Sequence, residues 1–290
     1  MYTKGFGHFD SNGPHPHRVS EPFRTAEPGL KTLNERLVDI QTASGALDIF
    51  IVHPGDDRQC PPVVIYMDVW GLREELFDIA RRVATVGYYC VVPNFYYRQG
   101  KIRNEYRNAK SQMITLDRLD ERRRAQVLAP LSRLSDSMVI EDTGKILNFI
   151  DADRSARPNN AIGCIGYCMG GRHVFRVTAH YPDRFKASVS LHGTDLVTDS
   201  ADSPHLDVLK ATGEIYCGFG EKDRHTPPSL ITAVNRALQS GGVRYRYEVH
   251  RGADHGYALP DRDVYDKHSA NRDWELIFAL FHRQLRPYST

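Results

Sequence analysis

The 290-residue chain is 41% hydrophobic and 26% charged, and its 38 Lys and Arg against 36 Asp and Glu give a formal net charge of +2. This composition is ordinary for a globular protein with a sizeable core, and the near-balance of charge gives no support for a main role in nucleic-acid or membrane binding. The five cysteines are widely spread and form no CxxC pair, which argues against a disulfide framework and a zinc site. Without a signal peptide or an apolar run of about 18 residues, we expect a cytoplasmic protein.

The N-terminal region, residues 1–30, is rich in Gly, Pro, His and Ser and shows neither a helical nor a strand period. We predict an irregular arm there and a single domain over residues 31–290. Two alternating apolar runs, at 35–42 and 46–53, are separated by Ser44-Gly45 and predict a hairpin.

The middle of the chain alternates strands and helices. Residues 62–67 form a continuous apolar run, typical of a strand buried on both faces, and a helical stripe over 76–84 leads to a further strand at 88–92. The stretch 99–134 is the least regular and most charged part, and we predict a lid-like helical insertion there.

Later strands and helices continue the same alternation. Strands are predicted at 161–165, 187–191, 214–218 and 244–249, and helices at 136–150, 230–238 and 274–285. This order predicts an α/β fold with a doubly wound, mostly parallel sheet and helices on both faces.

The segment Gly166-Tyr167-Cys168-Met169-Gly170 joins a predicted buried strand to a helical pattern. Gly-x-Cys-x-Gly in this context is the layout of a nucleophile elbow, in which small residues let the helix pass close to the strand. Cys168 would stand at a helix N-terminus, where the unpaired amides favour a thiolate, and the amide of Met169 would face an oxyanion. The alternative is a Gly-rich turn with a buried cysteine.

Two further polar residues follow predicted strands, Asp223 after 214–218 and His255 after 244–249. Nucleophile, acid and histidine in this order are the triad order of α/β-hydrolases. His255 would exchange the thiol proton, and Asp223 would fix its tautomer. His225 is the main rival as the base, and His192 also follows a strand.

The elbow, the segment ending at Asp223 and the segment Ala253-Asp254-His255-Gly256-Tyr257 resemble the dienelactone hydrolase (carboxymethylenebutenolidase) family, an α/β-hydrolase family, over about residues 47–285. The resemblance implies a Cys168-His255-Asp223 triad that opens small esters or lactones through an acyl-enzyme and needs no cofactor or metal. It also implies that Asp68 takes the place of an acid, usually Glu, that contacts the resting thiol. The amide of Val69 would then complete the oxyanion hole with that of Met169. The family's Ser after the histidine is Gly256 here, and its nearby Arg has no clear match, although Arg262 is near.

Four side chains on strand-end loops are candidates for substrate contact: Trp70, Tyr96, Arg98 and Tyr257. We therefore expect a hydrolase with a small-molecule substrate, without nucleic-acid or membrane partners, and a homo-oligomer is left open. The alternatives are a non-catalytic ligand-binding homologue, or an enzyme that transfers acyl groups or cleaves carbon–carbon bonds with the same triad.

Overall fold

A computed structural model describes residues 32–157 and 161–287, so the predicted N-terminal arm lies outside the described residues. The sheet is built from eight strands within this part: β1 (Leu33–Thr42), β2 (Gly45–Pro54), β3 (Pro62–Tyr66), β4 (Tyr89–Pro93), β5 (Ile162–Tyr167), β6 (Phe185–Leu191), β7 (Glu214–Gly220) and β8 (Arg244–His250). The helices are α1 (Glu74–Thr85), α2 (Glu121–Leu128), α3 (Asp136–Ala152), α4 (Met169–His180), α5 (Pro204–Asp207), α6 (Pro228–Ser240) and α7 (Lys267–Leu285).

The strands lie in the order β1-β2-β4-β3-β5-β6-β7-β8. β1 pairs with β2, and β2 with β4, in antiparallel fashion, and all pairs from β4 to β8 are parallel. The expected hairpin and the doubly wound, mostly parallel sheet with its helical insertion are thus confirmed. The extent of the domain over 31–290 stays a prediction.

Strand burial follows position in the sheet. Every residue of β3, β4 and β5 is buried, as their continuous apolar sequences predict, whereas β8 at the edge of the sheet is mostly exposed. The chain leaves β3 toward β4 on one side and returns to β5 on the other, so the order reverses between β3 and β5. In such sheets the crevice at the carboxyl ends of the reversal strands is where ligands bind.

The predicted insertion contains α2 and short 3-10 helices at Leu116–Arg118 and Leu131–Arg133. A small apolar cluster separate from the main core joins it to the loop after β3, through Trp70, Met113, Leu119 and Val127. The insertion therefore lies against the carboxyl end of β3, at the edge of the sheet where the reversal crevice opens.

Candidate active site

The turn between β5 and α4 has the strained backbone of a nucleophile elbow. Cys168 has φ 56° and ψ −119°, a conformation that a residue with a side chain adopts only when its surroundings impose it. A Cβ on Gly166 would lie 2.0 Å from the carbonyl oxygen of Gly170, and one on Gly170 would lie 2.3 Å from that of Tyr66. Both positions therefore require glycine, as the sequence pattern indicates.

The two predicted oxyanion amides lie on either side of the reversal crevice. Met169 begins α4, so its amide has no acceptor within the helix, and Val69 lies in the loop after β3. The hydroxyl of Tyr96 donates to the carbonyl oxygen of Val69 at 3.2 Å and contacts the sulfur of Met169 at 3.4 Å. Tyr96 thereby links the two segments. The donor role of the two amides stays a prediction.

The predicted triad residues lie in contact. Nδ1 of His255 is 2.8 Å from Oδ2 of Asp223, and because a carboxylate only accepts, Nδ1 carries the proton. The same imidazole makes a side-chain hydrogen bond to Cys168, which leaves Nε2 as the nitrogen facing the sulfur. All three side chains are buried, with 8% of Cys168, 3% of Asp223 and 8% of His255 exposed. The structure thus brings together three residues that are distant in the sequence.

The charge state of His255 follows from these neighbours. Burial by itself lowers the pKa of the imidazole, but the negative sulfur of Cys168 and the hydrogen bonds to Asp223 and Cys168 outweigh it and raise the pKa from 6.5 to about 10. The imidazole beside the sulfur is therefore protonated at neutral pH.

Two other histidines flank the ring of His255. The ring centroid of His225 is 4.7 Å away, on an exposed part of the Asp223 loop, and that of His192 is 5.0 Å away with no exposed surface. The amide of His225 donates to the second oxygen of Asp223 at 2.8 Å. It is therefore His255, and not the rival His225, whose ring joins Asp223 to Cys168.

Asp68 lies fully buried beneath the site with both carboxylate oxygens engaged. Nη1 and Nη2 of Arg73 donate to its two oxygens at 2.6 and 3.1 Å, and Nη1 of Arg262 lies 3.5 Å from Oδ2. The amide of Trp70 also donates to Oδ1 at 3.1 Å. Its predicted contact with the thiol stays a prediction, and the carboxylate is held mainly by the two guanidinium groups.

Arg262 itself faces the catalytic residues. Only 3% of the residue is exposed, its guanidinium lies 5.3 Å from the ring centroid of Trp70, and burial lowers its pKa despite the nearby carboxylate of Asp68. Gly256 has φ +94°, and a Cβ there would lie 3.4 Å from the Arg262 guanidinium carbon. The positive φ accounts for glycine at this position.

A small cavity above the thiol is lined by Cys168, His255, Arg262, Trp70 and the insertion residues Thr115, Leu116 and Asp117, with Val69 and His225 completing it. The volume of this cavity that is open to a water-sized sphere is only about 10 Å³, about the space of one water molecule. The insertion therefore closes the site over Cys168.

We call Met113–Arg118 the cover, since this segment lies over the thiol. Oδ1 of Asp263 accepts from the amide of Thr115 at 3.0 Å and from its hydroxyl at 2.6 Å, and Oδ2 accepts from Arg118 at 2.8 Å. The amide of Met113 donates to the carbonyl oxygen of Asp261 at 2.7 Å. An ion pair between Asp117 and Arg224 joins the cover to the Asp223 loop.

Of the four candidates for substrate contact, Trp70 lines the cavity. Tyr96 lies behind Val69 and Met169, Arg98 makes two hydrogen bonds to Asp142 at 2.6 and 2.9 Å, and the hydroxyl of Tyr257 donates to Asp273 at 2.7 Å. The sequence predicted a lid-like insertion over 99–134 but not which of its residues lie over the thiol. Arg262 was noted only as a residue near the place of the family's Arg, without a role in the site.

Within the described residues, no cluster of His, Cys, Asp and Glu side chains has the arrangement of a metal site. None of the helices in that same part of the chain combines the length and the apolar character needed to cross a membrane.

The sequence profile of the dienelactone hydrolase family matches residues 47–285. The chain belongs to the dienelactone hydrolase family. The match covers every residue of the elbow and of the Asp223 and His255 loops, and it places the protein in a family of hydrolases.

Relatives of known sequence carry a related name. The chain is 25% identical over 228 residues to a Salmonella typhimurium protein called "putative carboxymethylenebutenolidase", a match that covers 78% of each chain. A Synechocystis protein of the same name is 24% identical over 253 residues, covering 86% of this chain and 97% of that one.

Solved structures share the fold. A "putative dienelactone hydrolase" from Klebsiella pneumoniae superposes with a TM-score of 0.73 at 23% identity, covering 87% of this chain and 99% of that one. A "dienelactone hydrolase-like promiscuous phosphotriesterase", P91, from metagenomic libraries superposes with a TM-score of 0.69 at 17% identity over 87% of this chain and 98% of that one. At these identities the likeness concerns the fold.

Proposed function

We propose that the protein hydrolyses a small carboxylic ester or lactone, with Cys168 as nucleophile, His255 as acid and base, and Asp223 as the residue that orients His255. The observation that carries the proposal is the hydrogen-bonded chain from Asp223 through His255 to Cys168 at the tip of the elbow. The family membership supports hydrolysis as the reaction class.

The first half of the reaction forms a thioester. The Cys168 thiolate attacks the substrate carbonyl carbon, and the carbonyl electron pair moves to the oxygen, which accepts from the amides of Val69 and Met169. When the tetrahedral intermediate collapses, the bond to the leaving oxygen breaks and His255 gives that oxygen its Nε2 proton. An alcohol leaves from an ester, whereas a lactone opens and stays attached.

The second half regenerates the thiolate. His255, now neutral, takes a proton from water as the water oxygen attacks the thioester carbon, and Asp223 stabilises the imidazolium that results. Collapse expels the Cys168 sulfur and releases a carboxylic acid, so the enzyme returns to the thiolate–imidazolium pair.

Two buried N–H groups on residues that line the cavity support a substrate with an additional oxygen. Nε of Arg262 and Nε1 of Trp70 are buried and have no hydrogen-bond partner among the described residues, and both residues line the cavity beside Cys168. An unpaired buried donor costs about 1–3 kcal/mol, which a substrate oxygen would recover. We infer that these groups bind an oxygen of the substrate remote from the reacting carbonyl.

Asp68 enters this proposal through Arg262. Arg73 and Arg262 share the oxygens of Asp68, and Arg262 lines the cavity beside the thiol. We infer that Asp68 acts on the thiol indirectly, because it holds Arg262 in position. Asp68→Asn is then expected to raise KM for an anionic ester more than for a neutral one.

The test is hydrolysis of a nitrophenyl ester by wild type, Cys168→Ala and Cys90→Ala. We expect Cys168→Ala to lose at least about 10⁴-fold in kcat with an unchanged fold, because the covalent step needs the sulfur. Cys90→Ala removes a buried thiol in β4 and is expected to stay within about threefold of wild type. Activity of Cys168→Ala near that of wild type would overturn the proposal, and turnover in ¹⁸O-labelled water, with label in the acid product, distinguishes hydrolysis from acyl transfer.

A further inference from the structure

His192 is a buried histidine that the reaction above does not use. It follows β6 with φ 40°, in the left-handed region that residues with side chains seldom occupy, and its amide donates to the carbonyl oxygen of Gly218 at 2.8 Å. None of its surface is exposed, and neither ring nitrogen has a hydrogen-bond partner among the described residues. An apolar side chain would avoid the loss of hydrogen bonds to water that this burial brings.

The ring of His192 lies within a group of aromatic rings around His255. Its centroid is 5.0 Å from that of His255 with an angle of 75° between the planes, 5.6 Å from that of Tyr257, and 5.9 Å from that of Tyr167. Separations of 4.5–7 Å with tilted planes are the preferred geometry of aromatic pairs. The ring of His192 is thus packed on several sides, and one of those sides is His255.

His192 cannot serve as a second base or acid beside a protonated His255. Burial lowers its pKa far below 6.5, and the positive charges of His255, Arg262 and Arg73 lower it further. The other groups that pack against it, Tyr167 and Tyr257, are uncharged phenols whose pKa values burial raises. His192 is therefore a neutral aromatic ring next to an imidazolium.

A neutral ring of this kind has two physical effects on its neighbour. It occupies one side of the ring of His255, with 5.0 Å between the centroids, and so limits rotation of that ring. It also lies within about 6 Å of the imidazolium, the range in which aromatic rings stabilise cations. Asp223 and Cys168 hold the two nitrogens of His255 at the ring edge, and a neighbour packed against the ring adds a constraint on its plane.

We propose that His192 is a positioning residue for His255, whose neutral ring holds the imidazolium in the plane in which one nitrogen faces Cys168 and the other faces Asp223. This inference rests on the proposed catalytic use of His255. It assigns the function to the aromatic ring of His192 and not to its nitrogen atoms.

The test compares His192→Phe, which keeps a ring, with His192→Leu, which fills similar volume without one. Both are measured for kcat and KM on a nitrophenyl ester, for iodoacetamide labelling of Cys168 between pH 4 and 9, and for thermal unfolding. We expect His192→Phe to stay within about threefold of wild type. We expect His192→Leu to lose about 10-fold or more in kcat with KM little changed, because positioning acts on the reacting groups.

The labelling profile separates positioning from loss of stability. If the ring stabilises the imidazolium, His192→Leu shifts the lower pH limit of fast Cys168 labelling upward by about one unit, since the thiolate loses part of its partner charge. His192→Phe is expected to leave that limit in place. A protein that is only less stable would unfold at lower temperature without moving the limit.

Two results would overturn the inference. His192→Leu with wild-type kcat and labelling profile would show that the ring is not needed, and equal losses in folded His192→Phe and His192→Leu would assign the effect to the nitrogens. If His192→Leu fails to fold, His192→Met, which also lacks a ring, is judged by the same measurements. If wild-type turnover does not depend on Cys168 at all, the proposed function fails and not this inference alone.

Discussion

The elbow and the cover lie on opposite sides of the same sulfur, and they are built by different means. The elbow, Gly166–Gly170, is fixed by backbone contacts so close that two positions admit only glycine. The cover, Met113–Arg118, is held by a few hydrogen bonds to Asp263 and Asp261 and by an ion pair to Arg224. A nucleophile on a rigid turn beneath a segment held by side-chain and loop contacts is the arrangement expected when a closed site must open for its substrate.

The largest expected effect comes from adding a side chain to the elbow. In Gly170→Val the new Cβ would lie 2.3 Å from the carbonyl oxygen of Tyr66, so β3 and α4 must separate. We expect no folded protein, or a loss of several kcal/mol in free energy of unfolding and of all activity. Gly242→Ala is the matched control, since Gly242 has φ +69° but nothing within 4 Å of its Cβ position. It is expected to lose about 1–2 kcal/mol from backbone strain alone, measured by urea unfolding.

Removing the charge of Asp223 is expected to have the next largest effect. In Asp223→Asn the side chain no longer selects the tautomer of His255 that carries its proton on Nδ1, and kcat should fall about 10⁴-fold with the fold intact. Asp254→Asn is the neighbouring control, because among the described residues the Asp254 side chain accepts from the amide of His255 alone, at 2.7 Å, and asparagine retains such an acceptor. Equal losses in the two variants would contradict the assignment of Asp223.

The pH dependence of Cys168 alkylation tests the elbow side of the comparison, because it reports the charge of the groups around the sulfur and not access past the cover. Because the pKa of His255 is raised to about 10, the imidazolium is present throughout pH 6 to 9. It is lost only as the pH rises through the pKa. We therefore expect the rate of Cys168 labelling by iodoacetamide to change less than about threefold over this range. A free thiol would gain about tenfold per pH unit below pH 8.5.

Loosening the cover should make Cys168 easier to reach without changing how its labelling rate depends on pH. Asp263→Ala removes the acceptor for Thr115 and Arg118, and we expect labelling of Cys168 by a bulky maleimide to become about 10-fold faster at every pH. A change in the shape of the pH profile, in place of a uniform gain, would show that the cover also sets the charge of the sulfur.

The smallest effect is expected for the outer ion pair of the cover. Arg224 is 70% exposed and Asp117 is 40% exposed, and exposed pairs contribute about 0–1 kcal/mol. Arg224→Ala should therefore change maleimide labelling by less than about fivefold. An effect as large as that of Asp263→Ala would mean that the cover is fastened mainly at its outer end.

The sequence predicted the elbow side of this comparison better than the cover side. The elbow requirements are local, so Gly166, Cys168 and Gly170 are recognisable from five consecutive residues. Asp223 and His255 could be predicted because each follows a strand and parallel strands bring their carboxyl ends to one edge. The pairing of Asp68 with Arg262 was not predictable, since it joins residues nearly 200 positions apart.

Side-chain direction was also beyond the sequence. Tyr257 stands two residues after His255, but its hydroxyl donates to Asp273 of α7, and Arg98 on the loop after β4 bonds to Asp142 of α3. In both cases a partner distant in sequence decides where the polar end lies. An isolated β-bridge also pairs Met113 with Arg262 and joins the cover to the His255 loop. It too is a contact between residues far apart in the sequence.

The central claim is that Cys168 carries the acyl group during turnover. Acid quenching in the first turnovers of a nitrophenyl ester, followed by peptide mass spectrometry, measures this directly. We predict a nitrophenol burst equal to the enzyme concentration and an acyl group on the peptide that contains Cys168. Steady turnover with that peptide unmodified, or with the acyl group on another residue, would contradict the account.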